Sequence, residues 1–379
     1  MLEEYKAIST SDGRAWVLSS RLAALREVDA VVFDCDGVLV DTRRSYDAAI
    51  AEVTDRLLSW VGVRLPWRRF APSLILQLRR TGGFNNDWDT VYTLTVLSIL
   101  ALPASQARKI AEESWPQMGD NPKPILSSRD LKAVTVRVAA LTESFCSTDG
   151  FTSFQSVNDF VQTNILSPVY ASALSSVQQW LGYPGSPPTS LLSTIFDEAY
   201  HGARLFRLMY GVKPRYYHGT GLIENERMLV RRSDLEAVTQ LVGVGRLALT
   251  TGRPYLAAKY VLRDLMNYFN RKASIFIGDM DVHPELAVQL AQFRKPSGLG
   301  LIHARRTLSS DMLLYAGDSA EDIKMAEEAS RAKEPVLFAG IYGASIDRHE
   351  QSRFLRECGA DLILPTARQI PVVLAMMKS

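Results

Sequence analysis

The chain has 379 residues, enough for two domains at roughly 100–200 residues each. Hydrophobic residues make up 47% and charged residues 22%, and 43 Lys+Arg stand against 41 Asp+Glu, so the chain can bury a core and has no basic excess that would mark a nucleic-acid or membrane-surface protein. The cysteines Cys35, Cys146 and Cys358 lie too far apart for a metal knuckle or a disulfide framework and fit a reducing cytoplasm.

The opening residues carry early acids and no apolar run, so no signal peptide is expected there. No stretch of about 18 uninterrupted apolar residues occurs, so no membrane helix is expected. Leu18, Leu22 and Leu25 fall at helical spacing and predict a helix over Trp16–Arg26. Ala30–Phe33 is short, apolar and partly β-branched, which predicts a buried strand. It stops at Asp34-Cys35-Asp36-Gly37, and in open α/β sheets ligands bind at the carboxyl ends of strands.

From about Thr42 to about Val230 helical periodicity dominates, over Tyr46–Trp60, Asp89–Leu102, Leu131–Phe145, Val157–Leu166 and Leu191–Tyr210. Breaker-rich stretches at 119–124 and 182–188 separate them. This predicts a helical domain, residues 43–232, inserted into a core made of residues 1–42 and 233–379. Ser233 and Glu236 fit a capping box opening a helix. Strands are then expected at Leu247–Leu249, Ser274–Ile277, Met312–Tyr315 and Pro335–Phe338, with a last one at Leu362–Leu364 as a sheet edge. Helical patterns over Tyr255–Tyr268, Glu285–Phe293 and Glu321–Ala329 alternate with them. The expected fold class is therefore α/β: a doubly wound, Rossmann-like parallel sheet with a large helical insertion.

Four elements carry chemistry: Asp34 to Thr42, Leu249-Thr250-Thr251-Gly252-Arg253-Pro254, Lys295-Pro296, and Gly317-Asp318-Ser319-Ala320-Glu321-Asp322. They supply carboxylates, hydroxyls, one ammonium and glycine turns. A carboxylate can serve as a covalent nucleophile towards phosphorus. Phosphoryl transfer otherwise asks for positioning and for neutralised oxygens, which Thr251 and Lys295 can provide. Strand-end carboxylates can hold Mg²⁺.

In this order the four elements resemble those of the haloacid dehalogenase-like (HAD) hydrolase superfamily, phosphatase branch. The resemblance covers residues of about 30–42 and 233–379. It implies Asp34 as nucleophile and Asp36 as general acid and base. It implies Thr251, Gly252 and Lys295 as phosphate-binding residues. It also implies Mg²⁺ held by Asp34, the Asp36 backbone carbonyl and Asp318, with Asp322 as a ligand or an anchor behind them. Family dehalogenases lack the acid at the position of Asp36 and the ion-pumping ATPases carry threonine there, so Asp36 favours a phosphatase or phosphomutase. The stretch between the first two motifs is several times longer than that between Thr251 and Lys295, which places the insertion where the family's helical cap of the first type lies. The fragments Gly83 to Asp89, Tyr200-His201-Gly202 and Gly221 to Glu226 resemble a phosphoglycolate-phosphatase-like subgroup linked by resemblance to histidinol-phosphate phosphatases.

The implied partner is a small-molecule phosphate ester, with no nucleic acid and no membrane; a homo-oligomer stays open. The alternatives are a phosphomutase on the same fold and a non-catalytic binding protein, the latter opposed by the intact acids and Lys295. Alternation along the strand turns Cys35 away from its neighbours into packing. Asn85, Asn86, Asp87 and Trp88 read either as a helix start with an Asn or Asp cap, or as a substrate-reading loop beside Gly82-Gly83. Arg68, Arg69, Arg79 and Arg80 read as charged surface or as a greeting for an anionic substrate. Asp279 and Asp281 read as turn formers or as part of a site rim.

Overall fold

The structure, a computed structural model, describes residues 4–81, 83–84, 86–112, 123–148, 154–164 and 167–379. The chain divides into two compact units. One runs to Thr42 and resumes at Glu226; the other is Arg43–Asn225. The return thus lies at Glu226 rather than at Ser233. Among the described residues no single helix is long and apolar enough to cross a membrane.

The first unit is an α/β domain. Its strands are β1 (Tyr5–Thr10), β2 (Gly13–Leu18), β3 (Ala30–Phe33), β4 (Val40–Asp41), β5 (Arg227–Met228), β6 (Leu247–Thr251), β7 (Ile275–Phe276), β8 (Leu313–Gly317), β9 (Val336–Ile341) and β10 (Leu362–Leu364). Eight of them form one sheet in the order β1-β2-β10-β9-β8-β3-β6-β7, and β4 and β5 form a separate antiparallel ribbon. The pairs from β10 through β7 are all parallel. Burial on both faces accounts for the continuous apolar runs of β3 and β8. Val31, Phe33, Leu249 and Leu314 pack one face, and Val32, Ala248, Leu313 and Tyr315 the other.

Three local readings change. Trp16–Leu18 is strand, and only Leu22–Arg26 is α-helical. Ala15 and Val17 are fully buried on one face, while Trp16 turns to the other and tilts against Tyr342 at 5.7 Å. The leucine spacing straddled a strand end and a short helix, and the signal that mattered was the Ser11-Asp12-Gly13 turn closing the β1–β2 hairpin. That hairpin pairs antiparallel with β10, so Leu362–Leu364 is interior to the sheet and not its edge. The helix expected from Ser233 spans Arg232–Val242, and Asp234 closes its start by accepting the Arg231 N–H at 2.7 Å.

The second unit is helical, with helices at Tyr46–Trp60, Trp67–Arg80, Asp87–Leu100, Ala104–Glu112, Ser128–Cys146, Phe154–Asn164, Pro168–Leu181 and Leu191–Tyr210. Thr90–Leu100 is buried all round, which makes Asp87–Leu100 its central helix. Gly202 breaks the helical dihedrals of Leu191–Tyr210 with φ +76°. A Cβ placed on Gly202 would lie 2.2 Å from the Gly221 nitrogen, and one on Gly221 would lie 2.3 Å from the His201 carbonyl carbon. The two separated fragments Tyr200-His201-Gly202 and Gly221-Leu222 therefore meet backbone to backbone, which only glycine permits. Close by in sequence, the buried Glu198 carboxylate accepts the N–H groups of Arg215, Tyr216 and Tyr217 at 2.7, 2.6 and 2.9 Å and fixes that loop.

The hairpin's role in the core gives a stability test. Val17→Ala removes two buried methyl groups and should cost about 1.5–3 kcal/mol in urea unfolding. Lys6→Ala on the exposed edge of β1 should stay within about 0.5 kcal/mol. Equal, small effects of both would mean that the hairpin is not part of the cooperative core.

Candidate active site

The site lies at the carboxyl ends of the central parallel strands of the first unit. Register places it. Phe33 is level with Ala316 on one side and Leu249 on the other. The chain continues from these points into Asp34, Gly317-Asp318 and Thr250-Thr251. The Asp34 N–H donates to the Ala316 carbonyl at 2.8 Å, which keeps Asp34 in register with β8. Beyond it the chain turns tightly: the N–H groups of Leu39 and Val40 donate to the Cys35 carbonyl, and that of Gly37 donates to the Val40 carbonyl. Cys35 is fully buried, as alternation requires.

Asp34 is 7% exposed. Its Oδ1 accepts the Cys35 N–H at 2.8 Å, and its Oδ2 lies 3.0 Å from Lys295 Nζ. Lys295 also donates to Asp322 Oδ1 at 2.6 Å. Asp322 is fully buried and its two oxygens take five donors. Oδ1 receives Lys295 Nζ and, at 2.5 Å, the Tyr315 hydroxyl from β8. Oδ2 receives the N–H groups of Asp318 and Ser319 and the Ser319 hydroxyl. Ser319 in turn accepts the Asp322 N–H, so one residue caps the Ala320–Arg331 helix and anchors the lysine. Tyr315 was not singled out in the sequence; the interior of a strand gives no sign that its hydroxyl ends beside a carboxylate.

Carboxylate oxygens of Asp34, Asp318 and Asp322 lie within 4.8 Å of one another. Three acids around one ammonium leave an excess of negative charge. Burial, with the charges of Asp322 and Asp36, pushes the Asp34 carboxyl up to about 7 against the pull of Lys295. Asp318 is raised well above the usual carboxylate range by burial and by Asp322 and Asp34. Asp322 moves the other way: burial opposes its charge, but Lys295 and the hydrogen bonds hold it low. Lys295 stays charged despite burial because Asp322 and Asp34 outweigh the desolvation. This donor set suits a hard cation with oxygen ligands. Asp34 and Asp318 are the members with oxygens left to offer, since those of Asp322 are already engaged.

Asp36 stands apart from that cluster. Its Oδ1 accepts Arg253 Nε at 2.6 Å and lies 2.6 Å from Arg253 Nη2. Thr251 is fully buried at the end of β6, with its hydroxyl accepting the Arg253 N–H at 3.2 Å. Thr250 turns to the opposite face, towards Gly300. A Cβ built on Gly252 would meet nothing within 4 Å, so the turn beside Thr251 is open. Asp279 accepts the Tyr255 N–H at 2.7 Å and so ties the segment after β7 to the start of the Tyr255–Leu262 helix, a contact between elements and not a local turn. Burial raises Asp281 to about 6.

The specificity candidates belong to the second unit. Asn85 lies outside the described residues, as do Gly82 and the side chain of Arg68. Asn86 is the N-cap of Asp87–Leu100, accepting the Trp88 N–H at 2.9 Å. Asp87 Oδ1 lies 3.3 Å from Arg79, which also holds Asp47 at 2.6 Å. Trp88 Nε1 donates to Asp197 at 3.0 Å. Each of these three has a structural use inside the helical unit, and Arg79 is an internal ion-pair partner.

No family model matches the chain, and no curated protein matches it. Among solved structures it is similar to Northeast Structural Genomics Consortium target ZR25, with 17% identity, a TM-score of 0.59, and coverage of 92% of this chain and 98% of that one. A second similar structure is phosphatase Tt82 from Thermococcus thioreducens, with 20% identity, a TM-score of 0.49, and coverage of 84% of this chain and 94% of that one. The first likeness establishes a shared fold.

Gly37 provides a check on the site's geometry. It has φ +72°, and a Cβ on it would lie 1.8 Å from Asp318 Oδ2. Gly359 has nearly the same φ, +74°, with nothing within 4 Å. Gly359→Ala should therefore show only the left-handed backbone cost, about 1–2 kcal/mol. Gly37→Ala should lose more in the same thermal unfolding assay, because Asp318 must also move. Equal losses would put the Asp318 carboxylate elsewhere.

Proposed function

We propose that this chain is a phosphate-monoester hydrolase of the haloacid dehalogenase-like kind, acting on a small-molecule ester with Mg²⁺ and with Asp34 as covalent nucleophile. The observation that carries this reading is the buried Asp34 carboxylate at the end of a central parallel strand, 3.0 Å from Lys295 and clustered with Asp318 and Asp322. A buried acid excess around one ammonium has little structural use, since like charges at this spacing oppose folding. It does fit a site that gathers a cation and a phosphoryl group.

In this mechanism an Asp34 oxygen attacks phosphorus as the ester P–O bond breaks. Asp36 delivers a proton to the departing oxygen, so the leaving group departs as an alcohol. Asp36 then takes a proton from water, the water oxygen attacks phosphorus, and the P–O bond to Asp34 breaks to release phosphate and restore the carboxylate. Lys295 and Thr251 bind phosphoryl oxygens, with the Gly252 turn admitting them to the backbone. Asp34, Asp318 and the Asp36 carbonyl would hold Mg²⁺, with Asp322 keeping Lys295 aligned behind them. The ion, when bound, supplies charge neutralisation for the phosphoryl oxygens and for Asp34.

Turnover of a phosphate-ester panel should require a divalent ion and be abolished by Asp34→Asn with the fold retained. Activity of the Asn variant near the parent rate, or full turnover in excess chelator after metal removal, rules the reading out. A second outcome concerns pH. The Asp34 carboxyl is raised from the ordinary carboxylate range to about 7, so the folded state binds more protons than the unfolded state between about pH 4 and 7. In chelator the parent should therefore lose Tm relative to Asp34→Asn as pH rises through that window. Saturating Mg²⁺ should remove much of the difference. A pH-independent difference in chelator would show that Asp34 is not held among uncompensated acids.

A further inference from the structure

Arg253 has a buried setting that the proposed hydrolysis does not by itself require. It follows β6 in the Thr251-Gly252-Arg253-Pro254 turn, yet its side chain is only 1% exposed. Nε and Nη2 both reach Asp36 Oδ1 at 2.6 Å. Nη2 also lies 2.9 Å from Glu226 Oε2, and the Glu226 side chain is itself 1% exposed. Burying an arginine and a glutamate together brings little net stability, because the desolvation of both offsets their attraction. The Asp36 side chain, in contrast, is 31% exposed. The buried guanidinium thus holds one oxygen of an accessible carboxylate, by an Nε hydrogen bond and a close Nη2 ion pair. That oxygen is Oδ1, and Oδ2 engages no other described residue.

Glu226 is where the chain re-enters the first unit, directly before β5. β5 pairs with β4, and β4 ends the tight loop that carries Asp36. Arg253 is therefore held from β6 by its backbone and from the β4–β5 ribbon by Glu226. Its guanidinium has little freedom to follow Asp36; Asp36 must conform to it.

We propose that Arg253, fixed by Glu226, is the positioning residue for Asp36: it selects the orientation in which Oδ2 faces the ester's departing oxygen. This rests on the hydrolytic reading above. Lysine cannot replace it, since an ammonium on a flexible stem has no planar fork. Misplacing a proton donor by about an ångström costs on the order of 10²-fold in rate.

The test uses the full chain with Mg²⁺, an aryl phosphate with a good leaving group and an alkyl phosphate with a poor one. Arg253→Met should lower kcat about 10²-fold on the alkyl ester and only about 3-fold on the aryl ester, with inhibition by inorganic phosphate unchanged. Arg253→Lys should restore little of the loss. Arg253→Met combined with Asp36→Asn should be no slower than Asp36→Asn alone, because the arginine acts only through that acid. Additive losses, equal losses on both esters, or full rescue by lysine would each overturn the proposal. Should Arg253→Met fail to fold, Glu226→Gln carries the test: it should show the same leaving-group bias at smaller amplitude, about 3–10-fold, and unbiased or absent loss overturns the proposal. Asp34→Asn separates the two levels. If that variant turns over normally, the hydrolytic reading itself falls; if it is dead while the double variant is additive, the hydrolytic reading stands and the role of Arg253 falls.

Discussion

The ammonium of Lys295 lets buried acids share a small volume. It bridges Asp34 and Asp322, at 3.0 and 2.6 Å, in surroundings where an unpaired carboxylate would be strongly disfavoured. The bridge has two unlike ends. Asp322 is saturated by backbone, serine, tyrosine and lysine donors and acts as a fixed anion. Asp34 accepts one backbone N–H and one ammonium and keeps capacity for a further electrophile. The same lysine thereby bridges a saturated acid and one with spare acceptor capacity, and their opposite displacements from the ordinary carboxylate range follow from that difference in donors.

The central architecture was legible because each strand end coincided with a chemical change. Ala30–Phe33 stops at Asp34, and β8 stops at Gly317-Asp318, so apolar runs and acids together marked both strand and site. The β1–β2 hairpin was hidden because Leu18, Leu22 and Leu25 mimic a helical face across an element boundary. The return at Glu226 was also not visible, since a two-residue ribbon such as β4–β5 has no periodicity to detect. Tyr315 and Arg253 were hidden for another reason. Arg253 meets Asp36, 217 positions away, a pairing that neither residue type nor local spacing encodes. Tyr315 meets Asp322 only seven positions on, but a hydroxyl inside an apolar strand carries no sign of that contact.

The helical unit shows what short motifs can mean in the absence of a ligand. Tyr200-His201-Gly202 and Gly221-Leu222 are distinctive in sequence, and their glycines are required by a backbone crossing rather than by chemistry. Asn86, Asp87 and Trp88 likewise have partners within their own unit: a helix terminus, Arg79 and Asp197. Polar residues beside glycines satisfy two different demands, capping and recognition, with the same atoms. Partner geometry separates the demands, and here capping and ion pairing already account for the polar atoms described.

The two cations of the site divide its acids into networks with different outcomes. Around Lys295 the charge excess is largely buried, with only Asp318 of the three acids half-exposed, so Asp34 and Asp318 are pushed towards protonation or towards a cation. Around Arg253 one guanidinium also serves two carboxylates, but Asp36 is partly exposed and water screens the surplus. A cation entering the molecule would therefore gain most at Asp34 and Asp318 and little at the Asp36 side chain, which already has a fixed positive partner. That separation is what the proposed chemistry demands. A carboxylate on a metal has its oxygens committed there, whereas one gripped by a guanidinium through a single oxygen keeps the other free to face the ester. Two neighbouring aspartates on one short turn can thus take different roles because each is matched to a different cation.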